Sequence, residues 1–255
     1  MPTKLGQNFL TDESIAKKIV ESANISENDN VLEIGPGKGI LTKYLAGSGA
    51  HVLAIEIDQR LIEPLKKNFE NIEIIEDDIL KIDLPRLIEE NNFKNYKVVA
   101  NLPYYITSKI IRLLLETKYP PREMILMVQK EVGERIVALD GKESILSISV
   151  KFYADPEILF EVGKENFEPA PKVDSVVIKI KRKNNPPEAI ASDFFKLVRA
   201  GFSAKRKMLI NNLTSGFHTT RVELLSVFKE TGLEPTVRAE KLEVEDWVKL
   251  YRLSP

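Results

Sequence analysis

The sequence predicts a doubly wound, Rossmann-like α/β sheet followed by a small helical domain. Three observations lead to this prediction. Strand-like and helix-like segments alternate through the first two thirds of the 255 residues, as in βαβ units around a parallel sheet. A glycine-rich loop follows the first strand. A turn-rich break at Asn184-Asn185-Pro186-Pro187 then separates this part from a remainder with helical spacing.

The alternating segments begin at residue 30. Short apolar runs predict strands at residues 30–34, 51–57, 72–75, 96–100 and 123–128. Helical spacing predicts helices at residues 40–46, 61–69 and about 108–116. Residues 145–153 and 175–180 also resemble strands, with no helix between them. We therefore expect them to form an antiparallel pair at one edge of the sheet.

The chain beyond the break is predicted to be helical at residues 191–203, 204–213, 221–231 and 243–253. We accordingly predict an α/β domain over residues 1–183 and a helical domain over residues 188–255. Ligands of doubly wound sheets bind beyond the carboxyl ends of the strands, so we expect the functional residues of the first domain there.

The composition excludes several kinds of chemistry. The chain has no cysteine, so disulfides, thiolate metal sites and cysteine nucleophiles are excluded. His51 and His218 are far apart in sequence and suggest no metal site. No apolar run reaches the length of a membrane span, and the polar start Met1-Pro2-Thr3-Lys4 does not resemble a signal peptide. We expect a cytoplasmic protein that uses neither a metal nor a membrane.

The charge is distributed unevenly. The net charge is −1 overall, but residues 1–100 carry 12 Lys/Arg against 17 Asp/Glu, whereas residues 164–210 carry 11 Lys/Arg against 5 Asp/Glu. A polyanion such as RNA would prefer the second, basic stretch. An ordinary solvated surface explains the same composition about equally well.

The glycine-rich loop Glu33-Ile34-Gly35-Pro36-Gly37-Lys38-Gly39 is the first candidate for a cofactor site. Glycines allow a tight turn and a close approach of the backbone to a ligand. A dinucleotide fingerprint would be G-x-G-x-x-G, whereas this loop is E-x-G-x-G-x-G. The acidic residue before the glycines favours S-adenosylmethionine (SAM) over NAD. A merely structural turn is the other interpretation.

Carboxylates at the next two strand ends support a SAM site. Glu56 ends the second strand, where it could accept hydrogen bonds from both ribose hydroxyls. Asp78 follows the third strand and could accept a hydrogen bond from the adenine amine of the cofactor. Alternatively, Glu56 is a solvated strand end, and Asp77 and Asp78 cap a helix. Three such features at three successive strand ends favour the cofactor site.

The segment Asn101-Leu102-Pro103-Tyr104 at the end of the fourth strand suggests methyl transfer to an adenine amine. That amine is a poor nucleophile because its lone pair is delocalised into the ring. The side-chain carbonyl of Asn101 and the main-chain carbonyl of Leu102 could accept its two hydrogens and favour a tetrahedral nitrogen. Pro103 restricts Leu102 to an extended conformation. Tyr104 could stack on a flipped base or face the sulfonium of SAM. An ordinary turn is the alternative.

Together, these residues resemble the ribosomal RNA small-subunit adenine dimethyltransferase family, and the resemblance covers nearly the whole chain. Five further segments resemble family motifs, namely Lys4-Leu5-Gly6-Gln7-Asn8-Phe9-Leu10, Gln129-Lys130-Glu131-Val132, Asn166-Phe167-Glu168-Pro169-Ala170-Pro171-Lys172-Val173-Asp174-Ser175, Phe202-Ser203-Ala204-Lys205-Arg206-Lys207-Met208-Leu209-Ile210-Asn211-Asn212-Leu213 and Arg238-Ala239-Glu240.

The resemblance implies roles for particular residues. The implied contacts to SAM are Asn8, Leu10, Gly35, Gly37, Glu56, Asp78 and Asn101. Phe167 would form a second aromatic wall of the adenine pocket opposite Tyr104, the alternative being a core phenylalanine. Lys205, Arg206 and Lys207 would face RNA phosphates, the alternative being a solvated helix face.

The resemblance also implies a substrate and a partner. The substrate would be two adjacent adenines in the hairpin loop near the 3′ end of small-subunit ribosomal RNA, each dimethylated, with four SAM used in all. The partner would be the immature small ribosomal subunit, with a role in its biogenesis, and we expect a monomer. Unpaired loop bases cost little to extrude.

Two departures from the family pattern are visible. Tyr105 stands where the family usually has asparagine, and Ser144-Ile145-Leu146-Ser147 lacks an expected arginine. Three rival hypotheses are a resistance methyltransferase that acts on large-subunit RNA, a binding protein that kept the fold without the chemistry, and a DNA adenine methyltransferase. The match at residues 202–213 argues against the first and third, and the intact Asn101–Tyr104 segment argues against the second.

Overall fold

The computed structural model describes residues 7–187, 189–217 and 219–253. These residues divide into two compact units. The first lies within Met1–Gly133 and Asp155–Arg182, and the second within Glu134–Ala154 and Lys183–Pro255. The second unit thus includes a stretch that lies inside the predicted 1–183 domain.

A seven-stranded mixed sheet organises the first unit. The strands in chain order are β1 (Phe9–Leu10), β2 (Asn30–Ile34), β3 (His51–Glu56), β4 (Glu73–Glu76), β5 (Lys97–Asn101), β6 (Glu123–Gln129), β7 (Ala154–Val162), β8 (Phe167–Glu168) and β9 (Ser175–Arg182). The large sheet has the order β4-β3-β2-β5-β6-β9-β7, and β1 and β8 form a separate antiparallel pair. β2 to β6 pair in parallel, whereas β9 is antiparallel to β6. The predicted α/β fold is confirmed.

The parallel strands are short runs of buried β-branched and aliphatic residues, as expected for a sheet covered on both faces. Their register brings the strand ends together. Ile34 of β2 lies opposite Ile55 of β3, and Glu56 of β3 lies opposite Glu76 of β4. The loops that follow β2, β3, β4 and β5 therefore meet at one edge of the sheet.

Six of the α-helices that the structure describes lie wholly or partly in the first unit. Their bounds are α1 (Glu13–Ser22), α2 (Ile40–Ala46), α3 (Gln59–Asn68), α4 (Leu84–Glu90), α5 (Thr107–Glu116) and α6 (Lys130–Val137). Aspartates cap three of them. Asp12, Asp58 and Asp83 accept backbone N–H groups at the starts of α1, α3 and α4, which satisfies donors that the helix itself leaves unpaired.

The prediction of a strand at residues 145–153 is wrong. These residues form α7 (Ile145–Tyr153). The Ser144 hydroxyl accepts the Ser147 backbone N–H, and the Ser147 hydroxyl accepts the Ser144 backbone N–H, a reciprocal cap that starts a helix. Ile148 and Phe152, one turn apart, are both buried in the hydrophobic core of the second unit. The strand beside β9 at the sheet edge is β7, which follows α7 directly.

In the described part of the second unit, the regular structure is helical except for Ala154, the first residue of β7. Its remaining helices are α8 (Ala191–Gly201), α9 (Leu209–Phe217), α10 (Arg221–Thr231) and α11 (Val244–Leu253). An aromatic core that includes Phe152, Phe194 and Trp247 holds them together. A side chain at Gly201 would collide with Trp247, so close packing requires glycine at the end of α8. The predicted helix 204–213 begins only at Leu209.

A buried charge cluster lies at the amino-terminal ends of the parallel strands, on the side of the sheet opposite to the loops of the cavity. Lys97, which starts β5, is 7% exposed. Its ammonium donates to the carbonyls of Ala23 and Asn24, both at 2.7 Å, and lies 3.1 Å from the Asp29 carboxylate. Arg122 also donates to Asp29. Burial alone would raise the pKa of Asp29, but the Ser26 amide, Lys97 and Arg122 together hold that pKa at about 2.

We expect Asp29→Asn to lower the free energy of unfolding by about 3 kcal/mol at pH 7, because it leaves Lys97 buried without its counter-charge. The pKa of Asp29 is depressed, so its stabilisation is present above the ordinary value of 3.8 and is lost as the pH falls towards 2. Urea unfolding at pH 7 and at pH 3 measures both effects. Glu90→Gln, which breaks the exposed pair with Arg86, is the control and should cost about 0.5 kcal/mol or less. Equal losses in both variants, or a difference independent of pH, would contradict the assignment.

Candidate active site

A cavity lies at the carboxyl ends of the parallel strands in the first unit. Its walls come from the start of β1, the glycine loop, the ends of β3 to β5 and the segment between β5 and α5. Of the residues predicted to be functional, those that line it are Asn8, Gly35, Glu56, Asp78, Asn101, Leu102, Pro103 and Tyr104. The cavity thus lies where doubly wound sheets bind their ligands, beyond the carboxyl ends of the strands.

The glycine loop adopts a backbone that other residues rarely adopt. Gly35, Gly37 and Gly39 have φ values of +67°, +60° and +86°, all in the left-handed region that favours glycine. Gly39 also starts α2, and a side chain there would meet the ring of Phe69 at 2.6 Å. At Gly35 a side chain would meet open space. The backbone at Gly35 is thus open to the cavity, which fits close approach by a ligand.

Glu56 connects this loop to the next strand end. Its carboxylate is only 2% exposed. One oxygen accepts the Gly37 amide at 3.0 Å, and the other accepts the Asp58 amide at 2.8 Å. Each oxygen keeps further acceptor capacity, and Glu56 lines the cavity. The arrangement fits a residue that receives two hydroxyl groups of a ligand.

Glu33, the acidic residue before the glycines, is the last but one residue of β2 and is 1% exposed. Neither carboxyl oxygen forms a hydrogen bond within the described part of the chain. Burial raises the pKa of Glu33 to about 8, and the negative charge of Glu56 acts in the same direction, with a partial offset from the nearby Thr42. Glu33 is therefore largely uncharged at neutral pH. It does not line the cavity, so its effect on a ligand would be indirect.

Asp78 has a structural role and a position at the cavity. Its side chain accepts the Leu80 amide at 3.0 Å and lies 3.5 Å from the Lys81 ammonium, so it caps the turn after β4. It also lines the cavity. The alternative of a helix cap is wrong for Asp78, because α4 begins at Leu84 and is capped by Asp83. The contact of Asp78 with the cofactor stays a prediction.

The segment after β5 presents two free acceptors. The Leu102 amide donates to the Met127 carbonyl at 3.1 Å, and the Pro103 carbonyl accepts the Ile106 amide and the Thr107 hydroxyl, both at 3.2 Å. These bonds fix the backbone. Among the residues described, none donates a hydrogen bond to the side chain of Asn101 or to the Leu102 carbonyl. Both oxygens are thus available to the two hydrogens of an amine.

The Tyr104 hydroxyl is held in place by a residue that the sequence did not single out. Its hydroxyl lies 2.7 Å from the hydroxyl of Ser175, which is fully buried at the start of β9. Burial raises the pKa of the Tyr104 phenol, so the ring is neutral at physiological pH. Ser175 is the last residue of the family-like segment 166–175, which was the only sequence signal for it. Its hydrogen bond orients the Tyr104 ring.

Two predicted residues lie in the core. β1 pairs with β8, so that Leu10 lies opposite Phe167. Both are 4% exposed and belong to the hydrophobic core of the first unit, and neither lines the cavity. For Phe167 this corresponds to the alternative interpretation, a core phenylalanine. Phe9, which the sequence did not single out, does line the cavity. A side chain at Gly37, which itself does not line the cavity, would meet the Phe9 ring at 3.2 Å.

Lys205, Arg206 and Lys207 lie in the turn between α8 and α9, and all three are exposed. They do not lie on a helix face, because the helix begins at Leu209, and their contact with RNA stays a prediction. Buried Asn212 holds this turn by donating to the carbonyls of Gly201 at 2.6 Å and Ala204 at 3.1 Å. The turn that presents these three cations belongs to the second unit.

Lys4, Leu5, Gly6 and His218 lie outside the described residues. Within the described ranges, no group of three or more His, Cys, Asp or Glu side chains could hold a metal ion. None of the helices described is long and apolar enough to cross a membrane.

A glycine loop and two carboxylates lie at successive strand ends around the cavity. Together with the Asn-Leu-Pro-Tyr segment and its two free acceptors, they define a SAM-dependent methyltransferase. The match extends to the family level. The chain belongs to the ribosomal RNA adenine dimethylase family, whose model matches residues 1–254.

Named relatives agree with this assignment. The chain is 41% identical over 251 residues to ribosomal RNA small subunit methyltransferase A of Dehalococcoides mccartyi, covering 96% of this chain and 86% of that protein. It is 44% identical over 259 residues to the protein of that name from Streptococcus pneumoniae, covering 96% and 89%.

Two solved structures share the fold over nearly the whole chain. A dimethyladenosine transferase from Plasmodium falciparum has a TM-score of 0.82 and 30% identity, covering 95% of each chain. The 23S rRNA methyltransferase ErmE has a TM-score of 0.78 and 26% identity, covering 96% of this chain and 99% of the other.

We expect Ser175→Ala and Tyr104→Phe to lower kcat by about fivefold to tenfold each, because either change removes the hydrogen bond that orients the ring. The Kd for SAM should not change. The double variant should be no slower than the slower single variant, since both remove one interaction. Single-turnover methylation of ribosomal RNA measures these rates, with Ser22→Ala on the exposed face of α1 as the control. Additive losses would argue against a shared role.

Proposed function

We propose that this protein transfers methyl groups from SAM to the N6 amines of two adjacent adenines in the 3′-terminal hairpin loop of small-subunit ribosomal RNA. Each adenine is converted to N6,N6-dimethyladenine, and the reaction takes place during small-subunit biogenesis. The observation that carries the proposal is the pair of free acceptors on Asn101 and Leu102 at the cavity, in a chain of the ribosomal RNA adenine dimethylase family.

The proposed cofactor contacts follow the strand ends. Glu56 accepts the ribose hydroxyls while it keeps its bonds to the Gly37 and Asp58 amides. Asp78 accepts the adenine amine of SAM, and Gly35 permits close approach of the cofactor to the loop. Asn8, which directly precedes β1 and lines the cavity, makes a further contact with SAM. Leu10 and Gly37, which do not line the cavity, support it by fixing β1 and the loop.

Bound SAM supplies an electrophilic methyl group beside the adenine amine. Asn101 and Leu102 accept the two hydrogens of that amine and draw the nitrogen towards a tetrahedral geometry, which frees its lone pair for attack. The carbon–nitrogen bond would form as the bond from the methyl carbon to the sulfonium sulfur breaks, and S-adenosylhomocysteine would be the leaving group. The methylated nitrogen would carry the positive charge and would then lose its proton to water. Tyr104 stacks on the target base, and Phe167 would have to move out of the core to form a second wall.

RNA affinity is proposed to come in part from the second unit. The exposed turn of Lys205, Arg206 and Lys207 suits phosphate oxygens, and such contacts weaken as salt concentration rises. We propose that the protein acts as a monomer. We propose that it works in the cytoplasm on the immature small subunit, without a metal.

The deciding experiment is to incubate the protein with labelled SAM and with unmethylated small subunits, large-subunit RNA or duplex DNA, and to identify the modified nucleosides. We expect dimethyladenosine in the small-subunit hairpin. Label only in large-subunit RNA would favour the function that the name of ErmE describes, and label in DNA would favour a DNA methyltransferase. Binding of SAM without transfer to any of these substrates would favour a binding protein.

We expect Asn101→Ala to lower kcat by at least about 100-fold, because an acceptor that stabilises the transition state is lost. Binding of SAM, measured by calorimetry, should be largely retained. Asn68→Ala, at the exposed end of α3, is the matched control and should have normal activity. An Asn101→Ala enzyme with normal turnover would rule out the positioning role.

Glu56→Ala should raise the Kd for SAM by about tenfold to 100-fold, as expected for the loss of charge-assisted hydrogen bonds. Glu76→Ala is a close control, because Glu76 lies opposite Glu56 in the sheet register but does not line the cavity. Its Kd should match that of the unaltered protein. An unchanged Kd in Glu56→Ala would exclude the ribose contact.

A further inference from the structure

Tyr105 is an aromatic residue for which the fold has no evident use. It lies between the Asn101–Tyr104 segment and α5, lines the cavity and is 65% exposed. Within the described part of the chain, its hydroxyl has no hydrogen-bond partner and its ring has no aromatic partner. Isolated exposed apolar side chains are common on proteins and need no explanation by themselves. What distinguishes Tyr105 is its position at the proposed site of methyl transfer.

The backbone that carries Tyr105 is well fixed, although its side chain is free. Tyr104 on one side is held by Ser175. On the other side, the Ile106 amide and the Thr107 hydroxyl both donate to the Pro103 carbonyl. The ring is therefore presented at the cavity from a rigid turn. A preorganised aromatic surface loses little entropy when a flat partner stacks on it.

A nucleobase is the partner that this surface suits. Base–aromatic stacking tolerates any sequence because every base has a π face. Lys109, exposed in the first turn of α5 and without an ion pair among the described residues, adds positive charge four residues further along. When a target adenine enters the cavity, the base beside it loses a stacking neighbour. A ring at the rim can replace that neighbour.

We propose that Tyr105 is a stacking platform, at the exposed rim of the cavity, for the nucleobase next to the target adenine. This inference rests on the proposed function, since it requires an RNA substrate. The platform holds the adjacent base while its neighbour is methylated. It would also retain the RNA between methylation of one adenine and of the next.

The test compares Tyr105→Ala, Tyr105→Phe and Leu139→Ala. Leu139 has the same exposure of 65% but does not line the cavity. Tyr105→Ala should lower kcat/KM for immature small subunits by about tenfold, mainly through KM, and leave the Kd for SAM unchanged. Tyr105→Phe should retain normal kinetics because the ring face is kept, and Leu139→Ala should also be normal. A Tyr105→Phe enzyme as impaired as Tyr105→Ala, or a parallel loss of SAM affinity in Tyr105→Ala, would overturn the proposal.

A second measurement tests the partner itself. Hairpin RNAs with an abasic nucleotide on the 5′ or the 3′ side of one target adenine are compared with the intact hairpin. The unaltered protein should bind one of these abasic RNAs about tenfold more weakly, whereas Tyr105→Ala should bind it as well as the intact RNA. Equal abasic penalties in both proteins at both positions would overturn the platform and leave the proposed function intact. If the unaltered protein dimethylated no small-subunit RNA, the proposed function would fail, and the platform with it.

Discussion

The site depends on one buried carboxylate. Glu56 is taken out of water at the end of β3, and a buried charge is tolerated only when it is hydrogen-bonded. The amides of Gly37 and Asp58 meet that requirement. The same two bonds hold the glycine loop against the neighbouring strand end, so the residue proposed to receive the cofactor also shapes the loop around it. Gly37 donates its amide to Glu56 from a left-handed backbone conformation, which costs glycine little free energy.

The fold and the position of the cavity could be predicted because they follow from local patterns. The strand at 30–34 and the helix at 40–46 have the same bounds in the structure as in the prediction. Parallel strands bring their carboxyl ends to one edge, which placed Glu56, Asp78 and Asn101 around one cavity. The segment 145–153 was different, because a short apolar run fits a helix or a strand equally well. In the structure, the reciprocal hydrogen bonds of Ser144 and Ser147 cap this segment as a helix.

Contacts between distant segments could not be predicted in the same way. Tyr104 and Ser175 are 71 positions apart, and they meet because β9 runs antiparallel to β6 with Ser175 opposite Gln129. The burial of Phe167 depends similarly on the pairing of β8 with β1. Sequence motifs named these residues without showing which of them touch the cavity. That distinction arises from strand register, and a short segment carries little information about it.

The charges around the proposed reaction argue that Asn101 acts by position and not as a base. An amide oxygen accepts hydrogen bonds but does not take a proton at neutral pH. Burial keeps Tyr104 protonated, and burial likewise keeps Glu33 largely neutral. No base is needed before attack, because the amine becomes acidic only after it has gained the methyl group and a positive charge. The site therefore requires two well-placed acceptors more than it requires a proton acceptor, and the fixed turn from Asn101 to Thr107 supplies that placement.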